Sequence, residues 1–282
     1  MDLLISPGGM LGRAWMALLS AQGRPFEAVS RPEFDLTEDA SFDRIAPGRY
    51  ARVINCAAWT DVDGAEAQEA EATRVNGDAV GLLAQRCAEA DSMLVHYSTD
   101  YVFNGNATAP YAVDAEHDPV NAYGRSKAKG ETLIRASGAR HLIVRTSWVY
   151  APWGKNFVLT MRSLGRDRDA LTVVNDQRGR PTSAQHLAQA SAQLLEAGAS
   201  GTLHVTDGGE CTWFDLAEAV VETVNPSCKV EPCSSDAFPR PAKRPAYSVL
   251  DLGPTEALVG PMPQWRDNVA AVLAEVSAAA TD

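Results

Sequence analysis

The chain contains no block of basic residues, and its formal net charge is −11 at pH 7. Proteins that bind nucleic acids neutralise backbone phosphates with clustered lysines and arginines. The composition therefore argues against nucleic acid as a partner. A small anionic ligand is still compatible with it, but only through local arginines and backbone amides.

Cysteine and histidine are scarce, with five residues of each. The odd cysteine number and the absence of a C-x-x-C pair argue against a disulfide framework and predict reduced thiols in a reducing compartment. The histidines are scattered without metal-ligand spacing, so we predict no metal site. The cysteines are Cys56, Cys87, Cys211, Cys228 and Cys233.

Long apolar runs are also absent. No stretch approaches the ~18–20 residues that a membrane span needs. Met1-Asp2-Leu3 leads directly into a strand-like segment, without the basic and apolar regions of a signal peptide. We therefore expect a cytoplasmic globular protein without a membrane partner.

Short apolar segments and helical patterns alternate through the first half of the 282 residues. This alternation predicts the α/β class, with a Rossmann-type doubly wound parallel sheet. We predict a dinucleotide-binding Rossmann domain over residues 1–150. Residues 151–282 are predicted to be a smaller α/β substrate-binding region, part of which returns to the Rossmann sheet. The predicted strands of the first half are 3–5, 26–30, 52–58, 93–97 and 142–145.

A glycine-rich turn, Ser6-Pro-Gly-Gly-Met-Leu-Gly12, follows the first predicted strand and precedes a predicted helix. This order is typical of a dinucleotide fingerprint. Gly9 is expected to let the backbone approach a pyrophosphate, and Gly12 to let the helix pack closely on the strand. Ser6 stands where the first glycine is expected, so either Gly8 lets the turn form or cofactor binding is weakened.

The second predicted strand ends in Ser30-Arg31, without the acidic residue that holds the ribose 2′-hydroxyl of NAD. Arg31 favours a 2′-phosphate and hence NADPH. The alternatives are NADH as the cofactor and an Arg31 that is simply solvated. Asp35-Leu36 follows and is expected to frame the adenine.

Tyr123 and Lys127 lie four residues apart in a predicted helix over 123–136. Residues at this spacing share a helix face, and a cation beside a phenol favours its ionised form. Such a pair suits a proton donor in carbonyl reduction. The segment 104–121, rich in Gly, Pro and Asp, is expected to form a loop over the site.

Basic residues are concentrated in the loops 175–182 and 240–245. A solvated loop and a clamp for a nucleotide diphosphate both explain Arg178, Arg180 and Arg244, because the guanidinium fork suits phosphate oxygens.

Several sequence strings together resemble the extended short-chain dehydrogenase/reductases, and within them the branch that reduces dTDP-linked 4-keto-6-deoxy sugars. The matching strings run almost from end to end. They are Gly9-Met-Leu-Gly12, Asn55-Cys-Ala-Ala-Trp-Thr-Asp-Val-Asp63, His96-Tyr-Ser-Thr-Asp-Tyr-Val-Phe103, Tyr123-x-x-x-Lys127, Arg145-Thr-Ser-Trp-Val-Tyr150, Asp176-Gln-Arg-Gly-Arg-Pro-Thr182 and Arg244-Pro-x-x-Ser248.

The resemblance implies NADPH-dependent reduction of the C4 ketone of dTDP-4-dehydro-6-deoxy-L-mannose to dTDP-L-rhamnose. It implies that Tyr123 donates the proton, that Lys127 lowers the Tyr123 pKa and binds the nicotinamide ribose, and that Thr99 polarises the carbonyl. Substrate-binding positions implied in the same way are Thr99, Asp100, Val62 and Trp148. Cofactor-binding positions, including those argued above, are Gly9, Met10, Leu11, Gly12, Arg31, Asp35, Leu36, Ala58, Trp59, Thr60, Tyr97, Tyr123 and Lys127.

Single residues distinguish this chain from related proteins with other properties. The related 4,6-dehydratases carry a glutamate after the Thr-Asp pair, where this chain has Tyr101, so dehydration is disfavoured. Arg13 follows the glycine-rich turn where some members of the family hold Mg²⁺ between subunits through glutamates. We therefore expect a monomer or homodimer without a bridging metal. A ketoreductase of another deoxysugar pathway and a non-catalytic nucleotide-binding regulatory subunit of the same fold stay open as alternatives.

Overall fold

The computed structural model describes residues 1–279 and is built on a six-stranded parallel sheet. The prediction of a Rossmann-type α/β fold is confirmed. From one edge of the sheet to the other, the strands are β10 (Gly201–His204), β5 (His141–Thr146), β4 (Met93–Thr99), β3 (Arg52–Asn55), β1 (Asp2–Ile5) and β2 (Phe26–Val29).

Helices cover both faces of this sheet and also form much of the second half of the chain. The α-helices are α1 (Met10–Ala21), α2 (Val62–Ala67), α3 (Glu69–Thr73), α4 (Ala79–Glu89), α5 (Ala122–Ala136), α6 (Phe157–Asp167), α7 (Ala184–Glu196), α8 (Trp213–Val224), α9 (Gly253–Val259) and α10 (Trp265–Ala278). Shorter helical turns are Asp39–Arg44, Asp100–Val102 and Ser235–Ala237, and a π-helical turn spans Arg74–Asp78.

Successive residues of each strand face opposite sides of the sheet, which gives the molecule two cores. Leu3 and Ile5 of β1 pack with α4 on one side, whereas Leu4 packs with α1 and α7 on the other. Both sides of the sheet are therefore covered, as near-continuous apolar strands predict for a parallel sheet.

A third core lies in the second half of the chain, between α6, α8 and α10. Short strands accompany it: β6 (Val149–Tyr150) pairs with β9 (Thr182–Ser183), β7 (Ala170–Val174) with β12 (Lys229–Cys233), and β8 (Arg178–Gly179) with β11 (Cys211–Thr212). β10 of this half joins the main sheet beside β5. The division at residue 150 stays a prediction, and residues 280–282 of the predicted second region lie outside the described residues.

The sheet order places β1 between β2 and β3, so the chain leaves β1 first toward one edge and then toward the other. At such a switch point the connections after the two neighbouring strands diverge, which opens a crevice at their carboxyl ends. The loops after β1 and β3 border this crevice, and the functional residues considered below lie around it.

Within residues 1–279, none of the helices is long and apolar enough to cross a membrane.

Candidate active site

The glycine-rich turn after β1 adopts the geometry that close helix–strand packing requires. A Cβ on Gly12 would lie 2.2 Å from the Ser6 carbonyl oxygen, whereas a Cβ on Gly8 or Gly9 would meet no atom within 4 Å. Ser6 itself has a φ of 63°, the left-handed region that favours glycine. The turn therefore forms through Ser6 rather than through Gly8, and open space lies beside Gly9 at the start of α1.

A cavity of about 380 Å³ lies beside this turn, at the carboxyl ends of β1, β2 and β3. Its lining includes Ser6, Arg31, Leu36 and Ala58, which come from the loops after β1, β2 and β3. Arg31 is exposed, and its Nε lies 3.0 Å from Asp35 Oδ2. The structure thus brings three of the predicted cofactor residues to one cavity.

Asp35 is held in place by its neighbours in the loop after β2. Its Oδ1 accepts hydrogen bonds from the Thr37 backbone N–H and the Thr37 hydroxyl, each at 2.9 Å. The backbone hydrogen bond from Thr37 is the largest of the effects that lower the Asp35 pKa, and Arg31 adds to it. An ionised Asp35 consequently positions Arg31 at the rim of the cavity.

The predicted cofactor residue Trp59 is positioned by Asn76, which lies in the π-helical turn. Asn76 Oδ1 accepts from the Trp59 N–H at 2.9 Å, and Asn76 Nδ2 donates to the Trp59 carbonyl at 3.0 Å and to Ser126 Oγ at 3.0 Å. The π turn interrupts the single helix that the sequence predicts from about residue 72 to 90. Such turns are frequent at functional sites. Thr60, the next residue, is exposed.

Tyr123 lies in the first turn of α5, whose predicted extent is confirmed to within one residue. Asn121 caps this helix, because its side-chain oxygen accepts from the Gly124 N–H at 2.7 Å. A Cβ on Gly124 would lie 2.1 Å from the Tyr101 carbonyl oxygen, so α5 approaches the end of β4 closely. The rings of Tyr101 and Tyr123 meet edge to face, with centroids 6.1 Å apart.

Thr99 and Asp100 lie at the carboxyl end of β4, beside Tyr123. Thr99 Oγ1 donates to Asp100 Oδ1 at 3.0 Å and accepts from the Tyr101 N–H at 3.1 Å. Burial raises the Asp100 pKa to about 7, although hydrogen bonds to Ser248 and Thr99 oppose this rise. Asp100 Oδ2 is buried and has no hydrogen-bond partner among residues 1–279. A buried acceptor in this state is available to a ligand group that donates a hydrogen bond.

Lys127 is buried, and its Nζ is directed at β4. It donates to the Tyr97 carbonyl at 2.6 Å and lies 3.1 Å from His96 Nε2. Burial lowers the Lys127 pKa to about 8, against the influence of Glu131. A buried ammonium needs acceptors for its protons, and the nearest carbonyl belongs to the strand.

The phenol of Tyr123 differs from the sequence-based expectation. Burial is the main cause that raises the Tyr123 pKa to about 12, and the Asp100 carboxylate adds to it, whereas the Thr99 side chain lowers it. In this structure the hydrogen bonds of Lys127 go to β4 and not to Tyr123. The expected lowering of the Tyr123 pKa by Lys127 is therefore not seen in the protein by itself.

Tyr97 contributes its main-chain carbonyl to the site, and its side chain lies in the core on the other side of the sheet. The Trp15 indole N–H donates to the Tyr97 hydroxyl at 2.7 Å. Strand alternation explains this placement, because His96 and Tyr97 must face opposite sides. The Tyr97 side chain therefore lies on the face of the sheet opposite Lys127, and its cofactor role stays a prediction.

A second cavity, of about 470 Å³, is lined by Tyr101 and by residues that come mostly from the second half of the chain. Sequence analysis did not predict most of its lining, which includes Phe157, Gln177 and Trp213. The predicted substrate residue Trp148 has a φ of 47° and stacks on Trp213, with ring centroids 3.6 Å apart. Val62, also predicted, begins α2 next to Asp63, which lines the cavity.

Arg244 is half-buried at this second cavity and forms a two-pronged ion pair with Asp63. The distance from Arg244 Nη2 to Asp63 Oδ2 is 3.0 Å, and Asp63 also accepts from the Ala242 N–H at 3.2 Å. The interpretation of Arg244 as a solvated loop residue is therefore wrong. Arg178 is exposed beside Glu210. Arg180 is half-buried, and its Nε has no hydrogen-bond partner in the described part of the chain.

No group of three or more His, Cys, Asp or Glu side chains in the described part of the chain is arranged to hold a metal ion.

Comparison with known proteins places these features in a family. The family model described as the RmlD substrate binding domain matches residues 1–278. A dTDP-4-dehydrorhamnose reductase from Mycolicibacterium smegmatis (strain ATCC 700084 / mc(2)155) is 40% identical over 286 aligned residues, covering 99% of this chain and 87% of that protein. The chain belongs to the dTDP-4-dehydrorhamnose reductase family. The resemblance found in the sequence motifs is confirmed.

One further relative and one solved structure are informative about the substrate and the cofactor of similar proteins. A dTDP-4-keto-6-deoxy-D-glucose reductase from Streptomyces niveus is also 40% identical, over 93% of this chain and 93% of that protein. The crystal structure of a dTDP-4-dehydrorhamnose reductase from Bacillus anthracis str. Ames in complex with NADP has a TM-score of 0.91 and 32% identity, and it covers 97% of this chain and 98% of that chain.

Proposed function

We propose that this family member reduces the C4 ketone of dTDP-4-dehydro-6-deoxy-L-mannose to dTDP-L-rhamnose with NADPH. The carrying observation is the convergence of Thr99, Tyr123 and buried Lys127 at the end of β4, where the Tyr123 ring packs against Tyr101, a residue that lines the second cavity. A reductase needs a proton donor held close to its ketone, and Tyr123 supplies a phenol for that role.

The residues around the first cavity fit a dinucleotide. The open space beside Gly9, the free N–H groups at the start of α1 and the positive end of its dipole suit a pyrophosphate. Gly9, Met10, Leu11 and Gly12 would hold that group, and Arg31, Asp35 and Leu36 the adenosine end. Ala58, Trp59, Thr60, Lys127 and the Tyr97 backbone would hold the remaining half. When bound, NADPH supplies the hydride that adds to the C4 carbon.

The protein's own part in the reaction is to stabilise the negative charge that develops on the C4 oxygen and to protonate that oxygen. We assign Tyr123 as the proton donor to that oxygen. The Thr99 hydroxyl is assigned as a hydrogen-bond donor to the same oxygen once its single hydrogen turns away from Asp100 Oδ1. Asp100, with its unpartnered Oδ2, is assigned to a sugar hydroxyl. Trp148 and Val62 are assigned to the wall of the sugar pocket. Tyr101, in the position of the dehydratase glutamate, supplies no carboxylate for removal of a proton.

A second candidate is a 4-ketoreductase for a different dTDP-linked deoxysugar. The observation that favours it is the equal identity, 40%, to the reductase from Streptomyces niveus. The retained Thr99, Tyr123 and Lys127 disfavour a non-catalytic regulatory subunit. The C4 configuration of the product separates the two enzymatic candidates, because it depends on how the sugar lies in the second cavity.

An assay with dTDP-4-dehydro-6-deoxy-L-mannose, with NADPH and NADH in parallel, tests the proposal. We expect oxidation of NADPH and an NMR spectrum of dTDP-L-rhamnose. Absence of NADPH oxidation would refute the assignment of this sugar nucleotide as the substrate. Oxidation with the opposite C4 configuration would instead establish the second candidate.

The proposed assembly is a monomer or homodimer, which light scattering of the purified protein tests. The proposed location is the cytoplasm, which agrees with five free cysteines in the structure, since a reducing compartment keeps thiols unpaired.

A further inference from the structure

His96 and Asn55 form a buried pair behind Lys127 that the reaction described above does not use. They are neighbours in the sheet, because Asn55 of β3 and His96 of β4 are in register. Asn55 Nδ2 lies 3.2 Å from His96 Nδ1, and His96 Nε2 lies 3.1 Å from Lys127 Nζ. All three side chains are at most 2% exposed, so water does not complete their hydrogen bonds.

The backbone determines how the Asn55 amide is oriented. The Ala57 N–H donates to Asn55 Oδ1 at 3.0 Å, which leaves the Asn55 NH₂ group facing the imidazole. An NH₂ group only donates, so His96 Nδ1 must accept. Burial, together with the nearby Lys127 charge, lowers the His96 pKa well below its usual value, and the ring is neutral. A neutral ring with an accepting Nδ1 carries its proton on Nε2.

The Nε2–H group then faces the Lys127 nitrogen. An ammonium has three donors and no lone pair, so it cannot accept this hydrogen, whereas a neutral amine accepts it. Glu131, one turn further along α5, acts against the neutral amine, because its negative charge favours the Lys127 ammonium. Glu131 is already engaged by Arg145, His117, Arg135 and Ser98, which limits what it offers to Lys127.

We propose that Asn55 holds His96 as its Nε2–H tautomer, and that His96 thereby withholds an acceptor from Lys127 and favours its neutral amine. His96 and Asn55 are thus positioning residues, which act on the reaction through Lys127. The proton that Lys127 releases goes to water, and it is taken back from water when the pH falls.

The consequence for turnover rests on the proposed function. Each reduction consumes one proton, and a group exchanges protons best when its pKa lies near the working pH. A Lys127 that loses its proton easily can exchange it within that range, and an ordinary lysine cannot.

The first test needs neither cofactor nor substrate. NMR of the protein labelled with ¹⁵N-histidine and ¹³C-lysine, titrated from about pH 6 to about pH 10, reports the His96 tautomer and the Lys127 midpoint. Loss of a signal in His96→Gln assigns the ring. We expect a protonated Nε2, an unprotonated Nδ1 and a Lys127 midpoint near pH 8. A protonated Nδ1 in the unmodified protein would overturn the proposal.

Asn55→Asp is the decisive variant. Its carboxylate can accept from both the Ala57 N–H and His96 Nδ1–H, so the ring should change to the Nδ1–H tautomer and present an acceptor to Lys127. We expect the Lys127 midpoint to rise by about one pH unit or more, a tenfold change in proton affinity.

The added charge is controlled by the double variant Asn55→Asp/His96→Gln. If the carboxylate acts through the ring, most of the additional rise disappears relative to His96→Gln alone. An equal rise with either residue at position 96 would show that charge alone is responsible and would refute the tautomer mechanism. In the single variant, the high-pH limb of kcat should move upward with the Lys127 midpoint. If no sugar is reduced at all, the proposed function fails, while the NMR result still decides this inference.

Discussion

The phenol of Tyr123 lies between two influences, the buried carboxyl of Asp100 and the hydroxyl of Thr99. As an acid with a raised pKa, the phenol keeps its proton until charge grows on a ligand oxygen beside it. This behaviour suits a general acid that acts late in hydride addition.

Replacing Tyr123 by Phe removes the proposed proton donor and retains the ring. We expect turnover to fall by about 10²–10⁴-fold, the range that general acid catalysis supplies, while the affinity for NADPH changes little. Steady-state kinetics and cofactor fluorescence titration measure the two quantities. Turnover at the unmodified rate would mean that the proton has another source.

Asp100 links the site to stability through its raised pKa. An unfolded aspartate titrates near 3.9 and the folded one at about 7, so the stability that Asp100 contributes is complete below the unfolded pKa and is lost as the pH rises to about 7. Asp100→Asn cannot ionise and escapes this loss.

We therefore expect the free energy of unfolding of Asp100→Asn, relative to the unmodified protein, to rise by about 2 kcal/mol between pH 5 and pH 8. Urea denaturation at the two pH values measures it, and the pH 5 comparison serves as the internal control. A difference that does not depend on pH would show that Asp100 is ionised at both. Activity should fall in the same variant, because the charged acceptor at the sugar is lost.

Arg31 is the residue through which NADPH and NADH are expected to be distinguished. It is 69% exposed and is oriented by Asp35. An exposed ion pair is worth roughly 1 kcal/mol, so Arg31→Ala should reduce the preference for NADPH over NADH by about fivefold in kcat/KM. Arg49→Ala, which removes another exposed arginine paired with Glu27, is the matched control. An unchanged preference would exclude Arg31 as the reader of the 2′-phosphate.

At the scale of single elements, the start of α5 decides where Tyr123 lies. Asn121 caps the helix and also connects it to the loop that contains Lys243. Its Nδ2 donates to the Lys243 carbonyl at 2.8 Å. The close approach of Gly124 to the Tyr101 carbonyl holds the same turn from the other side. The reactive turn is therefore held by a cap, a loop and a strand end.

Asn121→Ala and Asn121→Ser separate the cap from the loop connection. Both remove the bond to Lys243, but serine still offers an oxygen to the Gly124 N–H. We expect Asn121→Ala to be about 1 kcal/mol less stable than Asn121→Ser, the usual value of a helix cap. Thermal or chemical denaturation measures the difference. Equal stabilities would show that the cap contributes nothing at this helix.

At the scale of the whole molecule, the two halves of the chain meet at the second cavity. Asp63, from α2, and Arg244, from the loop near the C-terminal end, are 181 residues apart in the sequence and form an ion pair there. Because both are only partly exposed, this pair is screened less than a surface pair. It closes one side of the cavity assigned to the sugar nucleotide.

A double-mutant cycle of Asp63→Ala and Arg244→Ala measures this connection. The two single variants should each be destabilised, and the double variant by less than their sum, with a coupling energy of about 1 kcal/mol. The KM for the sugar nucleotide should rise in all three, since the cavity wall loosens. Additive destabilisation would mean that the two side chains contribute independently.

Much of the architecture follows from local sequence patterns. The alternation of apolar strands and amphipathic helices predicted the parallel sheet, and the segment 123–136 predicted α5, because hydrophobic period is a property of neighbouring residues. The glycine-rich turn and the Tyr-x-x-x-Lys spacing are local in the same sense. The sequence by itself therefore determined the fold class, the family and the helix that carries Tyr123.

The tertiary structure decided what surrounds those residues. Sequence spacing does not relate Asn55 to His96, which are 41 residues apart, or Trp148 to Trp213. The tertiary structure also directs the Lys127 nitrogen to β4, and it places the left-handed residue of the glycine-rich turn at Ser6. These contacts depend on strand register and on how helices cross the sheet. Both are determined by packing of the whole core, so no short stretch of sequence contains them.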